Sequence, residues 1–195
     1  MAKRGRPPLA GRREEILDAA ILVLAERGIE SMSLAQLAHA LGFSTYALTY
    51  HFGTREDVLA AVAEQVEARL QAEFADLAGQ PGLTMPDLVR RYWATTKAPG
   101  AGHAMRLWLE LVLLASREPG RLPGFLDRAT AGWEQVIGAV LGEHPDADTL
   151  VPLAFAAITG LELLQFMRPG SDLPDRAVEQ LIGVFQLVLD RTNGL

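Results

Sequence analysis

The segment between residues 44 and 52 concentrates side chains that donate hydrogen bonds or stack. If it is a helix that begins after Ser44, its outward face carries hydroxyl, phenol and imidazole groups: Thr45, Tyr46, Thr49, Tyr50 and His51. Such groups contact phosphate oxygens and base edges, whereas a merely solvated helix face normally holds Glu and Lys. The pattern therefore indicates a surface that reads a nucleic acid.

The elements around this segment have the spacing of a helix-turn-helix. Ser33 followed by Gln36 is a capping-box pattern for a short helix that ends at Gly42, and Ser44 is a cap for the next helix. An amphipathic helix over residues 12–27 precedes them as a support. In a helix-turn-helix the second helix of the pair enters the major groove, although a plain helical hairpin has similar spacing.

The rest of the chain also has helical periodicity, and no β-branched alternation is visible. Gly and Pro breaks delimit about nine helices, so we predict an all-α protein. We divide it into a basic N-terminal arm at 1–11, a three-helix DNA-binding head at 12–53, and a larger helical body at 54–195.

Charge and composition limit the function classes. The chain has no Cys and 4 His, which excludes disulfides and thiolate chemistry, and we expect no metal or cofactor. Residues 61–195 contain 11 basic and 17 acidic residues and account for the whole net charge of −6, while residues 1–13 carry only basic charges. A basic arm on an acidic body fits local contact with phosphate in a reducing, cytoplasmic setting.

The longest apolar run, residues 150–167, approaches the length of a membrane span. It contains Pro152, Glu162 and Gln165 and lacks basic residues on one flank. We expect a buried or dimer-interface helix in place of a span, and no membrane partner. The apolar stretch near the N-terminus is interrupted by Asp18, so we expect no signal peptide.

Residues 12–60 resemble the DNA-binding domain of the TetR (tetracycline repressor) family of regulators. The shared motifs are ILDAA in the first helix, S-x-x-x-LA with LG in the second, S-x-x-x-L-x-x-HF in the third and TRE-x-L at the start of the fourth. The resemblance implies a ligand-responsive regulator, by default a repressor, that binds a palindromic double-stranded operator as a homodimer.

The resemblance also implies DNA contacts. Ser33, His51 and Arg55 would bind backbone phosphate, and Thr45, Tyr46 and Tyr50 would face the groove, with Ser44 and Thr49 beside them. Alternatively, Tyr50 packs on the first helix and His51 has a capping or core role. The family usually has Tyr at position 49, and Gly, Ala or Pro at position 46, so the contacts can differ in detail.

The N-terminal arm contains Arg4-Gly5-Arg6-Pro7-Pro8, which resembles the core of an AT-hook. Arg4 and Arg6 would then lie along a narrow A·T minor groove, where the potential is most negative. The alternative is a disordered basic tail that adds unspecific affinity for phosphate.

The last two helices, predicted at 149–167 and 174–192, have broad apolar surfaces. The predicted stripes are Leu150, Leu153, Ala157, Leu161 and Leu164 on one helix, and Val178, Leu181, Ile182, Phe185 and Leu189 on the other. The resemblance implies that the pair forms a four-helix bundle with its two-fold mate, with Gly160 and Gly183 allowing close approach. The alternative is that both helices complete the core of a monomer.

The middle helices are rich in aromatic and Met side chains, which are either core or the lining of an effector cavity. In TetR-family proteins the corresponding helices enclose a small-molecule site, and polar groups among apolar ones orient a mainly apolar ligand. The predicted effector contacts are Trp93, Met105, Trp108, Glu110, Trp133, Phe155, Thr159 and Glu162. A cationic or amphipathic aromatic ligand is conceivable through Trp108 and Glu110.

Two other function classes fit the sequence less well. No G-x-S-x-G, H-E-x-x-H, P-loop or dinucleotide fingerprint occurs, so an enzyme is not expected. A helical interaction protein would use its apolar helices for another partner. Salt-sensitive binding to palindromic DNA would distinguish the regulator from both.

Overall fold

A computed structural model describes residues 9–78, 80, 82–98 and 101–192. Over these ranges the chain forms nine α-helices and one 3-10 turn, and no strand. The all-α prediction is confirmed. Arg4 and Arg6 of the arm lie outside the described residues. The helices are α1 Leu9–Arg27, α2 Leu34–Ala40, α3 Thr45–Phe52, α4 Arg55–Ala78, α5 Met85–Thr95, α6 Ala101–Arg117, α7 Phe125–Leu141, α8 Ala147–Met167 and α9 Leu173–Thr192, with the turn at Pro119–Arg121.

Local capping fixes where the short helices α2 and α3 begin. The Ser33 hydroxyl accepts a hydrogen bond from the Gln36 N–H, and the Gln36 side chain accepts one from the Ser33 N–H, which completes the predicted capping box. The Ser44 hydroxyl accepts from the Ala47 N–H at the start of α3. Between the two helices Gly42 has φ +73°, a conformation that L side chains rarely adopt, so glycine is required at this turn.

The chain divides into two compact units. Unit 1 comprises Met1–Arg69 and Gly102–Asp127, and unit 2 comprises Leu70–Ala101 and Arg128–Leu195. Helix α4 begins in unit 1 and ends in unit 2. Unit 1 therefore contains α6 and the first half of α4 in addition to the three helices of the predicted head, whose boundary with the body was predicted at 53/54.

Apolar side chains of the first helices fill the core of unit 1. Ile16, Leu17, Ala20 and Leu24 of α1 are almost fully buried, as an amphipathic helix requires, and Leu48 of α3 is completely buried. Because the inward face of α3 is anchored by Leu48, its opposite face is held toward solvent.

The core of unit 2 is built from α5, α7, α8 and α9, and it corrects the predicted dimer stripe. Leu150, Val178, Ile182 and Phe185 are buried within this single chain. They face inward because α9 packs against both α5 and α8. The large apolar residues that remain exposed on α8 and α9 are Leu153, Leu163, Met167, Val184 and Leu187.

Helix α8 is long and apolar enough to cross a membrane by length and composition alone. One such helix does not by itself indicate a membrane span, and 22% of its apolar window is buried in the single chain.

Candidate DNA-binding interface and small-molecule site

The outward face of α3 presents two large aromatic residues to solvent. Tyr46 is 79% exposed and Tyr50 is 64% exposed. Their rings stack with centroids 6.4 Å apart and planes at 25°. At this exposure the Tyr50 ring is not buried against the first helix. Two solvent-exposed tyrosines on a short helix are costly unless they serve an interaction, because their apolar surface remains in water.

The remaining groups of this face are small or partly covered. Thr45 and Thr49 are exposed, and the Thr49 hydroxyl donates to the Thr45 carbonyl at 3.0 Å. His51 is half-buried, and its ring meets the Tyr50 ring edge-on at 5.3 Å. The face therefore offers a central aromatic pair flanked by hydroxyls and an imidazole.

Ser33 and Ser44 lie at the N-terminal ends of α2 and α3. Each side-chain oxygen accepts a backbone hydrogen bond, so the hydroxyl hydrogen is available to donate. Unpaired backbone N–H groups and the helix dipole favour an anion at such ends. Both positions can bind a phosphate without losing their capping role.

Arg55 has internal partners that the sequence analysis did not predict. Its Nε donates to the Met32 carbonyl at 2.8 Å, and Nη2 donates to the Ile29 carbonyl. The guanidinium thus ties the start of α4 to the loop between α1 and α2. Its predicted phosphate contact remains a prediction, and these internal hydrogen bonds compete with it.

Two arginines at the start of α1 lie over aromatic rings at the two ends of α3. The Arg12 guanidinium lies 4.9 Å from the centroid of Phe43, which precedes α3, and that of Arg13 lies 5.0 Å from Phe52, which ends it. Both arginines are exposed. Arg12 and Arg13 belong to the basic residues near the N-terminus that the sequence shows. Their contacts with Phe43 and Phe52 could not be predicted from the sequence, because these contacts depend on how α1 packs.

Glu110 of α6 also has an unpredicted partner. Its carboxylate accepts a hydrogen bond from the Ile29 N–H at 2.8 Å. Arg121 holds the same loop, with Nη1 3.1 Å from the Glu30 carboxylate and Nη2 3.6 Å from the Glu56 carboxylate. The loop between α1 and α2 is therefore fixed by side chains of α6, of α4 and of the turn that follows α6.

The eight predicted effector contacts fall into both units. Met105, Trp108 and Glu110 belong to unit 1, where Trp108 is buried. The five others, in unit 2, are Trp93, Trp133, Phe155, Thr159 and Glu162. Three of the five form one contact group, together with Tyr92, which the predicted set did not include.

This group, which we call the aromatic-acid cluster, consists of Tyr92, Trp133, Phe155 and Glu162. The Tyr92 hydroxyl donates to Glu162 Oε1 at 2.5 Å. The Trp133 ring lies edge-on to Tyr92 at 5.3 Å and tilted to Phe155 at 5.8 Å. Glu162 is only 6% exposed, and its burial raises the pKa to about 7, against a smaller lowering by the Tyr92 hydrogen bond.

Trp93 is occupied by a separate network. Its indole N–H donates to Asp175 at 2.6 Å, and the Lys97 ammonium lies 4.8 Å from the ring centroid. Lys97 also pairs with Asp175 at 2.6 Å, and the hydrogen bonds from Lys97 and Trp93 lower the pKa of Asp175. This arrangement joins α5 to α9 and already places a cation on the Trp93 ring.

The polar groups do not assemble into a metal centre in the part of the chain that the structure describes. No group of three or more His, Asp or Glu side chains there is close enough to hold an ion.

A capped helix-turn-helix, a solvent-exposed reading face and flanking arginines define a sequence-reading DNA-binding protein. Residues 16–62 match the family model of bacterial regulatory proteins of the tetR family. This segment is therefore a DNA-binding domain of the tetR type, and the chain as a whole resembles TetR-family transcriptional regulators over most of its length.

Three similar proteins illustrate the relationship. The regulator PksA of Bacillus subtilis is 23% identical over 164 residues, which cover 81% of this chain and 80% of PksA. The transcriptional repressor AcnR of Corynebacterium diphtheriae is 32% identical over 95 residues, and the match spans 46% of this chain and about half of AcnR (48%). The crystal structure of the multidrug binding protein EbrR complexed with imidazole has a TM-score of 0.66 and 25% identity, covering 93% of this chain and 95% of EbrR.

Proposed function

We propose that this regulator binds a palindromic operator as a homodimer, represses transcription from it, and is released by a small, largely apolar effector. The observation that carries the proposal is the pairing of two exposed surfaces on one chain, the tyrosine face of α3 and the apolar face of α8 and α9. One surface has the chemistry to contact DNA, and the other has the chemistry to contact a second copy.

The exposed apolar residues of α8 and α9 support dimerisation. Leu153 is 54% exposed and Leu187 is 64% exposed, on two helices that pack together. A Cβ added at Gly160 or Gly183 would meet no atom within 4 Å in the single chain. The space beside these glycines lets a partner helix approach closely, and a two-fold pair of such surfaces buries both.

A dimer supplies two reading heads for a two-fold operator. Recognition helices must meet major grooves about 34–36 Å apart, or a multiple of it, on one DNA face. We assign base contacts to Thr45, Tyr46, Thr49 and Tyr50. Backbone phosphate contacts go to Ser33, Ser44, His51, Arg12 and Arg13, and Arg4 and Arg6 of the arm add minor-groove or unspecific contacts.

Helix α4 offers a route from effector to DNA, because it is the one continuous helix that starts beside α3 and ends in unit 2. A ligand bound at the aromatic-acid cluster that displaces the far end of α4 would change the spacing of the two heads. A coupling of ~1–3 kcal/mol is enough for a 5- to 150-fold loss of affinity. The similarity to the transcriptional repressor AcnR supports repression as the direction of regulation. The similarity to the multidrug binding protein EbrR supports a response to a small molecule.

The decisive experiment combines operator selection with a dimer variant. Genomic fragments bound by the purified protein identify the operator, and fluorescence anisotropy then measures affinity for it. Gly183→Arg should give a folded monomer with weak operator binding, because the added side chain has room in one chain and none at an interface. Gly138→Arg on α7 is the matched control, since its site is equally open and lies outside the proposed interface.

A further inference from the structure

We infer that the effector site of unit 2 takes a small organic cation with an aromatic or alkyl group, and that Glu162 supplies the carboxylate that pairs with it. This inference rests on the proposed effector response and names the chemical class of its ligand. The predicted carboxylate for such a ligand, Glu110, hydrogen-bonds to Ile29 in unit 1, so Glu162 takes that role here.

Glu162 is a buried acid without a counterion among the residues that the structure describes. Its one hydrogen-bond partner is the Tyr92 hydroxyl, and no Lys, Arg or His side chain there forms an ion pair with it. Lys97, which follows the end of α5, is paired with Asp175. An ionised buried carboxylate that lacks a cation is unfavourable, because desolvation opposes its charge.

A purely structural role does not explain why this residue is an acid. A Gln at the same position would accept the Tyr92 hydrogen bond and join α5 to α8 without burying an ionisable group. An acid is favoured at a position where a cationic ligand binds, because the cation offsets the cost of ionising the buried carboxylate. Burial raises the pKa of Glu162, and this cost of ionisation is what a bound cation would offset.

The surroundings of Glu162 suit a cation with apolar substituents. Phe155, Thr159 and Glu162 are at positions i, i+4 and i+7 of α8 and share one helix face. Tyr92 and Trp133 add two further rings, and aromatic faces attract ammonium groups, Trp most strongly. A carboxylate bonded to Tyr92, whose ring continues through Trp133 to Phe155, offers charge and apolar surface together, whereas a neutral ligand would use only the rings.

The test is calorimetric titration of the full-length protein at pH 8, without DNA, with phenyltrimethylammonium and its neutral isostere tert-butylbenzene. The two probes have the same shape and differ in one charge that does not titrate. The wild-type protein should bind the cation at least tenfold more tightly. Glu162→Gln should lose at least tenfold of the affinity for the cation and keep its affinity for the isostere.

Two further variants keep the outcome decisive. Glu134→Gln removes an equal charge from an exposed position beside Trp133 and should leave both affinities unchanged. Tyr92→Phe keeps the acid and should retain the preference for the cation. Equal affinity of the wild-type protein for both probes would overturn the inference even if Glu162→Gln fails to fold. An equal loss of both affinities in a folded Glu162→Gln protein would overturn it as well.

Operator binding is measured separately so that the two proposals can fail independently. If the cation binds through Glu162 but leaves operator affinity unchanged, the ligand class stands and the effector response is wrong. If a neutral compound releases the operator and the wild-type protein shows no preference for charge, the response stands and the cation assignment is wrong.

Discussion

Two groups of aromatic residues in this protein have opposite environments. Tyr46 and Tyr50 on α3 stack on each other in solvent, with hydroxyl-bearing neighbours. Tyr92, Trp133 and Phe155 form a contact group in unit 2, in which the Tyr92 hydroxyl donates to the buried acid Glu162. The residue types are similar, so composition alone does not distinguish the two groups. The difference lies in exposure and in the presence of a carboxylate.

The largest expected effect is a difference between the two aromatic groups in how much each contributes to the free energy of unfolding. Tyr92→Ala should lower the free energy of unfolding by ~3–5 kcal/mol, because it removes a buried ring and leaves Glu162 without its donor. Tyr50→Ala should change it by less than about 0.5 kcal/mol, since Tyr50 is exposed. Urea unfolding at a fixed protomer concentration measures both. Similar losses would mean that the two groups are not distinct in their packing.

The second prediction uses the raised pKa of Glu162, about 7 against 4.5 for the ordinary group. Between these values the native state holds a proton that the unfolded state has released, so wild-type stability should fall as pH rises from 4.5 to 7 and level off above it. Glu162→Gln cannot ionise and should be more stable than wild type at pH 8 by up to ~3 kcal/mol.

The measurement is the difference in unfolding free energy between Glu162→Gln and wild type at pH 5 and pH 8. Taking the difference cancels the pH-dependent contributions of other groups to the unfolding free energy, such as those of Asp57, Asp87 and Asp175, whose pKa values are lowered. A difference that does not change with pH would show that Glu162 does not titrate in this window.

The third prediction concerns base reading by the exposed pair. Tyr46→Ala should reduce discrimination at one or two operator positions by ~1–3 kcal/mol while leaving thermal stability unchanged. Anisotropy titrations on the operator, on single-base variants and on random DNA measure this effect. An equal loss on all three DNAs would show that Tyr46 contacts only the backbone.

The smallest expected effect distinguishes the arginines around the reading face. Arg12→Ala should reduce the salt dependence of operator binding by the dimer by about 1.8 in log–log slope, ~0.9 for each protomer, uniformly across sequences and with the protein stability almost unchanged. Arg55→Ala should mainly destabilise the protein, because two carbonyls of the loop between α1 and α2 lose their donor. If Arg55→Ala changes only the salt slope, its phosphate role outweighs the internal one.

Features that depend on neighbouring residues were predictable from the chain itself. The caps of α2 and α3, and the Thr54–Asp57 pair at the start of α4, join residues three apart, so residue type and spacing are sufficient. The outward face of α3 follows in the same way, because the helical period and the inward Leu48 determine which side chains point away.

Contacts between distant segments could not be predicted, and they changed several assignments. Glu110 binds the Ile29 N–H across 81 positions of sequence, and Tyr92 binds Glu162 across 70. The apolar stripe predicted for the dimer interface on α9 is buried in the core of its own chain, because α9 packs against both α5 and α8. The helical period of the sequence does not show which neighbours a helix packs against.

The sequence by itself therefore determined the all-α architecture, the caps of the short helices and the outward face of α3, since backbone hydrogen bonding and capping act over a few residues. Only the tertiary structure decided which acid is buried beside the aromatic rings and which apolar residues of α8 and α9 remain exposed. Burial and pKa depend on every element that packs around a side chain, and that packing is fixed by the whole fold.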